Sequence, residues 1–159
     1  MSAPRVGFGY DIHRLAAGRR LVLGGVAIEH PTGLLGHSDG DVLLHAIADA
    51  VLGAAGLGDL GSHFPSDDPA LAGADSLELL RRVGSKVREV GFEVASVDAT
   101  IVAEAPRLAG RTGAMRAKVA GALGIATENV SVKAKTNDGV SAIGAGDAIA
   151  AFAVAVATS

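Results

Sequence analysis

Three residues have side chains that could bind one metal ion together. Asp11 and His13 are two positions apart in a segment that we predict to be a strand, so both side chains point to the same side. His45, on a predicted helix, would supply a third ligand from a separate element. Two imidazoles and one carboxylate suit zinc, and three protein ligands leave the open position that is typical of a catalytic site. Because the Asp-x-His spacing is common, an exposed strand-end histidine and an ordinary helix histidine stay open as alternatives.

A run of small polar residues directly precedes the helix that carries His45. Positions 36–41 read GHSDGD, and a helix N-terminus presents free backbone N–H groups and a partial positive charge that favour phosphate. His37 and Ser38 would add side-chain donors at the same place. We therefore expect a phosphate site here, with an ordinary capped turn as the alternative.

Two later polar segments are candidates for ligand contacts. Positions 56–69 read GLGDLGSHFPSDDP. The acidic residues Asp59, Asp67 and Asp68 in this segment could bind hydroxyl groups or a cation, or could simply belong to an acidic surface loop. Positions 133–139 read KAKTNDG and follow a predicted strand. Strand ends in α/β folds are frequent ligand sites, although a plain Asn-Asp-Gly turn explains these residues equally well.

Alternating strands and helices must position these residues. Apolar periodicity predicts a first strand at 5–12, a hairpin around a Gly-Gly pair at 21–28, and a helix at 40–55. The later elements are a loop at 56–74, a helix at 75–90, a strand at 94–103, a helix at 107–123 and a short strand at 130–135. The tail from residue 145 fits either a helix or a buried strand. The pattern predicts an α/β (α+β sandwich) fold, with helices packed on one face of a mixed β-sheet, in a single domain over residues 1–159.

Composition excludes several classes of function. The chain has 159 residues, 49% of them hydrophobic, and a formal net charge of −3 without a basic run, which does not favour nucleic-acid binding. It contains no cysteine, so thiolate metal sites and cysteine nucleophiles are absent. The N-terminus does not read as a targeting segment, and the apolar stretch at 148–157 is too short to span a bilayer. We expect a cytoplasmic protein that does not bind membranes.

Several motifs in the same order resemble one enzyme family. The motifs are GFGYDIHRL at 7–15, GHSDGD at 36–41, HAIADA at 45–50, GLGDLG at 56–61, HFP at 63–65 and GADS at 73–76. They are similar to the 2-C-methyl-D-erythritol 2,4-cyclodiphosphate synthase family of the non-mevalonate isoprenoid pathway. The match runs from residue 6 to the C-terminus with near-identical spacing.

The resemblance implies an assembly and a reaction. The family forms homotrimers whose sheets face the threefold axis and whose active sites lie between subunits, with the C-terminal segment as a strand. In 4-diphosphocytidyl-2-C-methyl-D-erythritol 2-phosphate, the 2-phosphate attacks the β-phosphorus. CMP leaves and a cyclic diphosphate forms, so the enzyme is a phosphorus–oxygen lyase.

The resemblance also implies roles for individual residues. Zn²⁺ would bind Asp11, His13 and His45, and a second divalent cation, Mg²⁺ or Mn²⁺, would bind Asp138. His37 and Thr136 would be catalytic, holding the phosphates. The implied substrate-binding residues are Asp11, His13, His37, Ser38, Asp59, Gly61, Phe64, Ser66, Asp68, Ala103, Pro106, Arg107, Leu108, Ala109, Lys135, Thr136, Asn137 and Asp138.

The chain departs from the family pattern at several of these places. Ser66 replaces a common Asp, and residues 135–138 read KTND in place of threonines that end in Glu. Ala142 and Ala145 replace a common Phe and a common Arg. That Arg is associated with the anion-binding end of a channel on the threefold axis, so we predict that Ala145 weakens any isoprenoid-diphosphate binding there.

Two other functions remain as alternatives. A zinc phosphoesterase that hydrolyses a nucleoside diphosphate ester would share the metal site but would need an activated water. A non-catalytic trimeric binding module would use a structural metal with a fourth protein ligand, for which the spare histidines are His30, His37 and His63.

Overall fold

Strands and helices alternate along the chain, and the computed structural model describes residues 3–159. The strands are β1 (Arg5–Ala17), β2 (Leu21–Leu23), β3 (Val26–Ile28), β4 (Thr32–Leu34), β5 (Glu93–Val102), β6 (Val130–Lys135) and β7 (Ala148–Thr158). The helices are α1 (Val42–Ala54), α2 (Leu60–His63), α3 (Ser76–Glu89), α4 (Thr112–Leu123) and α5 (Ser141–Gly144), with 3₁₀ turns at Pro69–Leu71 and Thr127–Asn129. Among the residues described, no helix is long and apolar enough to cross a membrane.

A five-stranded sheet in the order β4-β1-β7-β5-β6 forms one layer of the fold. β5 and β6 are parallel, and the other neighbouring strands are antiparallel. The predicted mixed sheet is therefore confirmed. The ambiguous C-terminal segment is strand β7, which lies between β1 and β5, and the predicted Gly-Gly hairpin is formed by β2 and β3.

Helix α1 packs closely on β1 because two glycines of the strand face it. A Cβ atom at Gly7 would lie 1.9 Å from the carbonyl oxygen of Ala50, and one at Gly9 would lie 1.8 Å from that of Ala46. Any side chain at these positions would push the helix away. The facing residues of β7 are also small and buried: Ala151, Ala153 and Ala155. The helices α1, α3 and α4 all cover this side of the sheet, as predicted.

The opposite side of the sheet, which we call the outer face, carries large apolar residues that the isolated chain leaves exposed. Its members are Val6, Phe8, Tyr10, Phe152 and Val154, which are 39–67% exposed. The ring centroids of Tyr10 and Phe152 lie 5.0 Å apart. A contiguous apolar patch of this kind marks an interaction surface.

The first turn of α1 differs from the prediction. We expected a helix from residue 40, but it begins at Val42 with Asp41 as its cap. Its side chain accepts a hydrogen bond from the backbone N–H of Leu44 at 3.1 Å. It also accepts from the backbone N–H groups of Gly24 at 3.0 Å and Gly25 at 2.8 Å. One buried carboxylate therefore joins the β2–β3 turn to the start of the helix.

Helix α4 begins at Thr112, later than the predicted residue 107. Leu108 is buried in the core instead of starting the helix, and the backbone N–H of Arg111 donates to its carbonyl at 2.8 Å in a tight turn. The helix ends as predicted at Gly124, which has a left-handed φ of 71°. The predicted loop at 56–74 contains the short helix α2 and a 3₁₀ turn, and helix α5 was not predicted.

Candidate metal centre and active site

Asp11, His13 and His45 converge at one point. His13 Nε2 lies 2.7 Å from Asp11 Oδ2, and His45 Nδ1 lies 3.1 Å from the same oxygen. One ligand atom from each residue lies within 4.8 Å of the others. The convergence expected from the sequence is therefore confirmed, and the donor set suits a divalent metal ion.

Close packing of α1 on β1 brings these three residues together. Asp11 and His13 follow Gly7 and Gly9 along the strand, and His45 lies in the first part of the helix that those glycines admit. All three side chains are partly buried. A bulkier residue on the inner side of β1 would move His45 away from the strand.

A backbone carbonyl fixes the orientation of His13. Its Nδ1 contacts the carbonyl oxygen of Leu35, the residue after β4. A carbonyl only accepts hydrogen bonds, so Nδ1 carries a proton. In the neutral ring the lone pair is then on Nε2, which faces Asp11 and is available to a metal ion.

The same contacts shift the pKa values of the pair. Partial burial opposes ionisation of Asp11, but hydrogen bonds from His13 and His45 outweigh it and lower the pKa of Asp11 to about 2. The hydrogen bond with Asp11 raises the pKa of His13 above its usual value, although burial acts against this. The site therefore presents an ionised carboxylate that attracts cations, and protons compete with a metal ion for His13.

A cavity of about 350 Å³ opens above the three ligands. The predicted site residues that line it are Asp11, His13, His37, Ser38, His45, Asp59, Gly61, Phe64 and Ser66. The other lining residues are Asp49, Leu60, Pro65, Leu71 and Leu79. The cavity therefore combines polar side chains, the metal ligands among them, with an apolar part formed by Leu60, Phe64, Pro65, Leu71 and Leu79.

His37 and Ser38 lie beside the metal ligands in this cavity. The Nε2–H of His37 donates to the backbone carbonyl of Asp68 at 2.7 Å, which ties the loop that carries Asp68 to this side of the cavity. Ser38 Oγ accepts from the backbone N–H of Gly40 at 3.3 Å and lies 3.1 Å from His45 Nε2. Both side chains can therefore reach an anion held over the metal site.

The expected contribution of the helix N-terminus to phosphate binding is wrong. Asp41 and the first-turn residues Val42 and Leu43 are completely buried. The carboxylate of Asp41 already accepts from the N–H of Leu44. The end of α1 is therefore not accessible to an anion in the cavity.

A second cavity, of about 480 Å³, holds the other group of predicted residues. It is lined by Ala103, Glu104, Pro106, Arg107, Leu108, Ala109, Thr112, Val132, Ala134, Lys135 and Thr136. Within one chain these residues form a cavity separate from the one above the metal ligands.

The loop after β6 carries Thr136 and Asp138. Thr136 Oγ1 donates to Asp138 Oδ1 at 3.2 Å, and Asp138 has a positive φ of 50°. Glu104, which the sequence did not single out, holds the loop. Its carboxylate accepts from the backbone N–H groups of Asn137 and Gly139, each at 3.0 Å. Asp138 lies outside the cluster of the other three predicted metal ligands.

Asp49 is another residue that sequence reasoning missed. It lies four positions after His45 on α1, so both side chains share one face of the helix. Asp49 lines the metal-side cavity, and its Oδ1 accepts from the backbone N–H of Leu60 at 2.7 Å. Burial raises the pKa of Asp49. This contact fixes α2, which carries Gly61, against α1.

Comparisons with known proteins agree with this architecture. The model of the YgbB family matches residues 4–158. The 2-C-methyl-D-erythritol 2,4-cyclodiphosphate synthase of Bordetella petrii is 54% identical over 157 residues, which are 98% of this chain and 97% of that protein.

Solved structures show the same fold. The bifunctional IspDF of Campylobacter jejuni superposes with a TM-score of 0.94 at 39% identity, over 98% of this chain and 42% of that one. IspF of Plasmodium falciparum, solved as a CDP complex, superposes with a TM-score of 0.85 at 31% identity, over 99% of this chain and 97% of that one.

Proposed function

This chain belongs to the YgbB family, and on that premise we propose that it is a 2-C-methyl-D-erythritol 2,4-cyclodiphosphate synthase. The substrate is 4-diphosphocytidyl-2-C-methyl-D-erythritol 2-phosphate, and the products are the cyclic diphosphate and CMP. The reaction forms one P–O bond from the 2-phosphate to the β-phosphorus and breaks the bond between that phosphorus and the CMP oxygen. It is a step of the non-mevalonate isoprenoid pathway.

The observation that carries this proposal is the position of the metal ligands. Asp11, His13 and His45 lie at a cavity whose neighbouring wall contains His37 and Ser38. A cyclisation between two phosphates needs positioning and neutralisation of negative charge more than it needs a protein nucleophile. This cavity offers both.

The donor set fits Zn²⁺. Asp11 supplies an ionised carboxylate oxygen, and the two histidines direct one ring nitrogen each toward it. Zinc held by these three residues would supply Lewis-acid stabilisation of charge on the diphosphate. The described residues contain no fourth histidine, aspartate or glutamate in this cluster, which fits an open position for substrate.

Residues of the first cavity would bind the 2-phosphate, and residues of the second cavity would bind the diphosphate. His37 and Ser38 would hold the attacking 2-phosphate next to the metal ligands. Thr136 would donate to the diphosphate from the other cavity, with Lys135 nearby as a cation. Asp138 would help to bind the second divalent cation, Mg²⁺ or Mn²⁺.

The rest of the substrate fits the remaining wall residues. Asp59 and Gly61 would contact the ribose, and the loop with Phe64, Ser66 and Asp68 would cover the methylerythritol part. The cytosine pocket would be formed by Ala103, Pro106, Arg107, Leu108 and Ala109. CDP is present in the solved complex of the Plasmodium falciparum relative, and we assign cytidine recognition in this chain to that second cavity.

A homotrimer would join the two cavities. Each chain carries a metal-side cavity and a separate cavity with Thr136, so a complete active site would combine the first cavity of one subunit with the second cavity of its neighbour. The exposed outer face would be buried around the threefold axis. Ala142 and Ala145 would lie near that axis, where the absence of an Arg would weaken isoprenoid-diphosphate binding.

Release of CMP under controlled metal content tests the proposal. We expect activity to disappear after zinc is removed by a chelator, and to return when Zn²⁺ and Mg²⁺ are added. His45→Ala should lose activity even with excess zinc, whereas His30→Ala, a histidine outside both cavities, should retain it.

Each alternative function predicts a different result in this assay. CMP release that yields a linear bisphosphate would indicate a phosphoesterase. Zinc binding without CMP release would indicate a binding module. Full activity of His45→Ala would contradict the assigned metal site.

A further inference from the structure

Ser76, the first residue of α3, makes a buried contact with the metal ligand His45. Its side chain is only 1% exposed, and its Oγ lies 2.9 Å from His45 Nε2. On its other side Ser76 contacts the carboxylate of Asp39, to which both its hydroxyl and its backbone N–H donate. A continuous chain of contacts therefore runs from Asp39 through Ser76 to His45.

The direction of each hydrogen bond from Asp39 through Ser76 to His45 is fixed. Asp39 also accepts from the backbone N–H of Asp41 at 3.0 Å, so its carboxylate is surrounded by donors. The single hydroxyl proton of Ser76 is used on Asp39, and Ser76 Oγ can then only accept from the imidazole. His45 must therefore carry its proton on Nε2.

We propose that Asp39 and Ser76 are positioning residues that fix His45 as the Nε2–H tautomer and thereby direct the Nδ1 lone pair at the metal site. The inference rests on the proposed zinc site. Nδ1 lies 3.1 Å from Asp11 Oδ2, where a shared ion would bind. Partners that hold the second ring nitrogen of a metal-binding histidine are known to tune metal affinity.

The two histidine ligands are then fixed in opposite tautomers. The carbonyl of Leu35 holds the proton of His13 on Nδ1, which leaves Nε2 for the metal ion. The Asp39–Ser76 pair holds the proton of His45 on Nε2, which leaves Nδ1. The strand residue thus faces the shared point with Nε2, and the helix residue faces it with Nδ1.

Ser38 does not fix the tautomer in the same way. Its Oγ lies 3.1 Å from His45 Nε2, but no carboxylate among residues 3–159 accepts its hydroxyl proton. That proton can turn toward the imidazole, toward Ser76 Oγ at 3.4 Å, or toward a ligand in the cavity. Ser38 therefore remains free to bind substrate while Ser76 holds the ring.

Zinc affinity of purified variants tests the inference without relying on activity. In competition with a chromophoric chelator, we expect Ser76→Ala and Asp39→Asn to bind zinc about 10- to 100-fold more weakly than wild type. Ser76→Thr keeps the hydroxyl and should stay close to wild type. Ser85→Ala, which removes an exposed serine of the same helix, should change nothing.

Imidazole ¹⁵N shifts of His45 in the metal-free protein give a second readout. Wild type should show a proton on Nε2, and Ser76→Ala should populate a ring that carries its proton on Nδ1 alone, where it faces Asp11. A wild-type ring without a proton on Nε2, or unchanged zinc affinity in both Ser76→Ala and Asp39→Asn, would overturn the inference. If wild type bound no zinc, the proposed metal site would fail, and the tautomer of His45 would still decide the role of Ser76.

Discussion

Asp11 and His13 are coupled through one hydrogen bond, which makes their contribution to stability depend on pH in the metal-free protein. Protonated His13 donates from Nδ1 to the Leu35 carbonyl and from Nε2 to Asp11. The pKa of His13 is raised, so this stabilisation is complete below its unfolded value of 6.5 and is lost as pH rises through the folded pKa. The pKa of Asp11 is lowered to about 2, so its stabilisation is present above 3.8 and is lost as pH falls toward 2.

We therefore expect the free energy of unfolding of metal-free wild type to exceed that of Asp11→Asn by the largest margin between about pH 4 and pH 6.5. Chemical denaturation of both proteins at a series of pH values measures this margin. The margin should shrink as pH rises through the folded pKa of His13, and again as pH falls toward 2. A margin that does not vary with pH would show that the ion pair does not form.

Asp41 is a structural carboxylate whose loss we expect to destabilise the fold. Asn has one acceptor oxygen, so Asp41→Asn would place an amide N–H₂ against at least one of the backbone donors that Asp41 now accepts from. Leaving such a buried donor unsatisfied costs about 1–3 kcal/mol. Urea denaturation should show this loss, whereas Asp67→Asn at an exposed loop position should shift stability by less than about 0.5 kcal/mol. Equal stability of the two variants would contradict the role of Asp41.

At the scale of residues, the sequence was sufficient to predict site side chains that belong to motifs. It was insufficient to predict contacts made by the backbone. The strand spacing of Asp11 and His13 indicated a shared side, and His45 on the predicted helix offered a third ligand. The carbonyl of Leu35 orients His13, but any residue type has a carbonyl, so no sequence signal marks it. The role of Ser76 depends on the position of α3, which the sequence does not specify.

At the scale of elements, Arg19 holds the segment between β4 and α1 that presents His37. Its guanidinium donates to the carbonyls of Leu34 at 2.9 Å, Ser38 at 3.1 Å and Gly36 at 3.4 Å. These bonds fix the backbone on either side of His37 without touching the metal ligands. Arg19 is therefore expected to affect substrate positioning more than metal binding.

Arg19→Ala should lower kcat/KM about 10- to 100-fold, because small displacements of positioning groups have effects of this size. Zinc affinity should change little. Arg19→Lys should recover only part of the loss, because an ammonium cannot bridge three carbonyls as a planar guanidinium does. Arg20→Ala, at the exposed neighbour, should behave as wild type in the same steady-state assay. A large loss of zinc affinity in Arg19→Ala would contradict this division of roles.

The element boundaries show where sequence patterns stop being informative. Strand β6 was predicted with its observed bounds, because its apolar residues alternate. The start of α1 was placed too early, because several polar residues precede the helix and only burial selects Asp41 as its cap. The start of α4 was also placed too early, because Leu108 packs into the core from a turn.

At the scale of the whole molecule, the outer face indicates assembly. Phe8 is 63% exposed in the isolated chain. It lies on the face of β1 that carries the larger apolar side chains, because the alternating positions on the other face are Gly7, Gly9 and Asp11. We expect Phe8→Glu to convert the proposed trimer to monomers in sedimentation experiments, since a charge buried at an interface is costly. Val90→Glu adds the same charge at an exposed position after α3 and should remain trimeric. A trimeric Phe8→Glu protein would show that another surface mediates assembly.

The separation of the two cavities leads to a complementation test. His45→Ala and Thr136→Ala chains should each be inactive alone. Mixed oligomers formed by refolding both together should regain activity, about a quarter of wild type if subunits mix at random, because some sites combine two intact halves. Mixtures that stay inactive would place both residues in sites formed by one chain.

The measurement that tests the central claim most directly is ³¹P NMR of the protein incubated with 4-diphosphocytidyl-2-C-methyl-D-erythritol 2-phosphate, Zn²⁺ and Mg²⁺. We predict two mutually coupled diphosphate resonances that grow together with an equal amount of CMP, and no such products with His45→Ala. A linear bisphosphate alongside CMP would show hydrolysis in place of cyclisation. An unchanged substrate spectrum with zinc bound would contradict the assignment of this chain as a synthase.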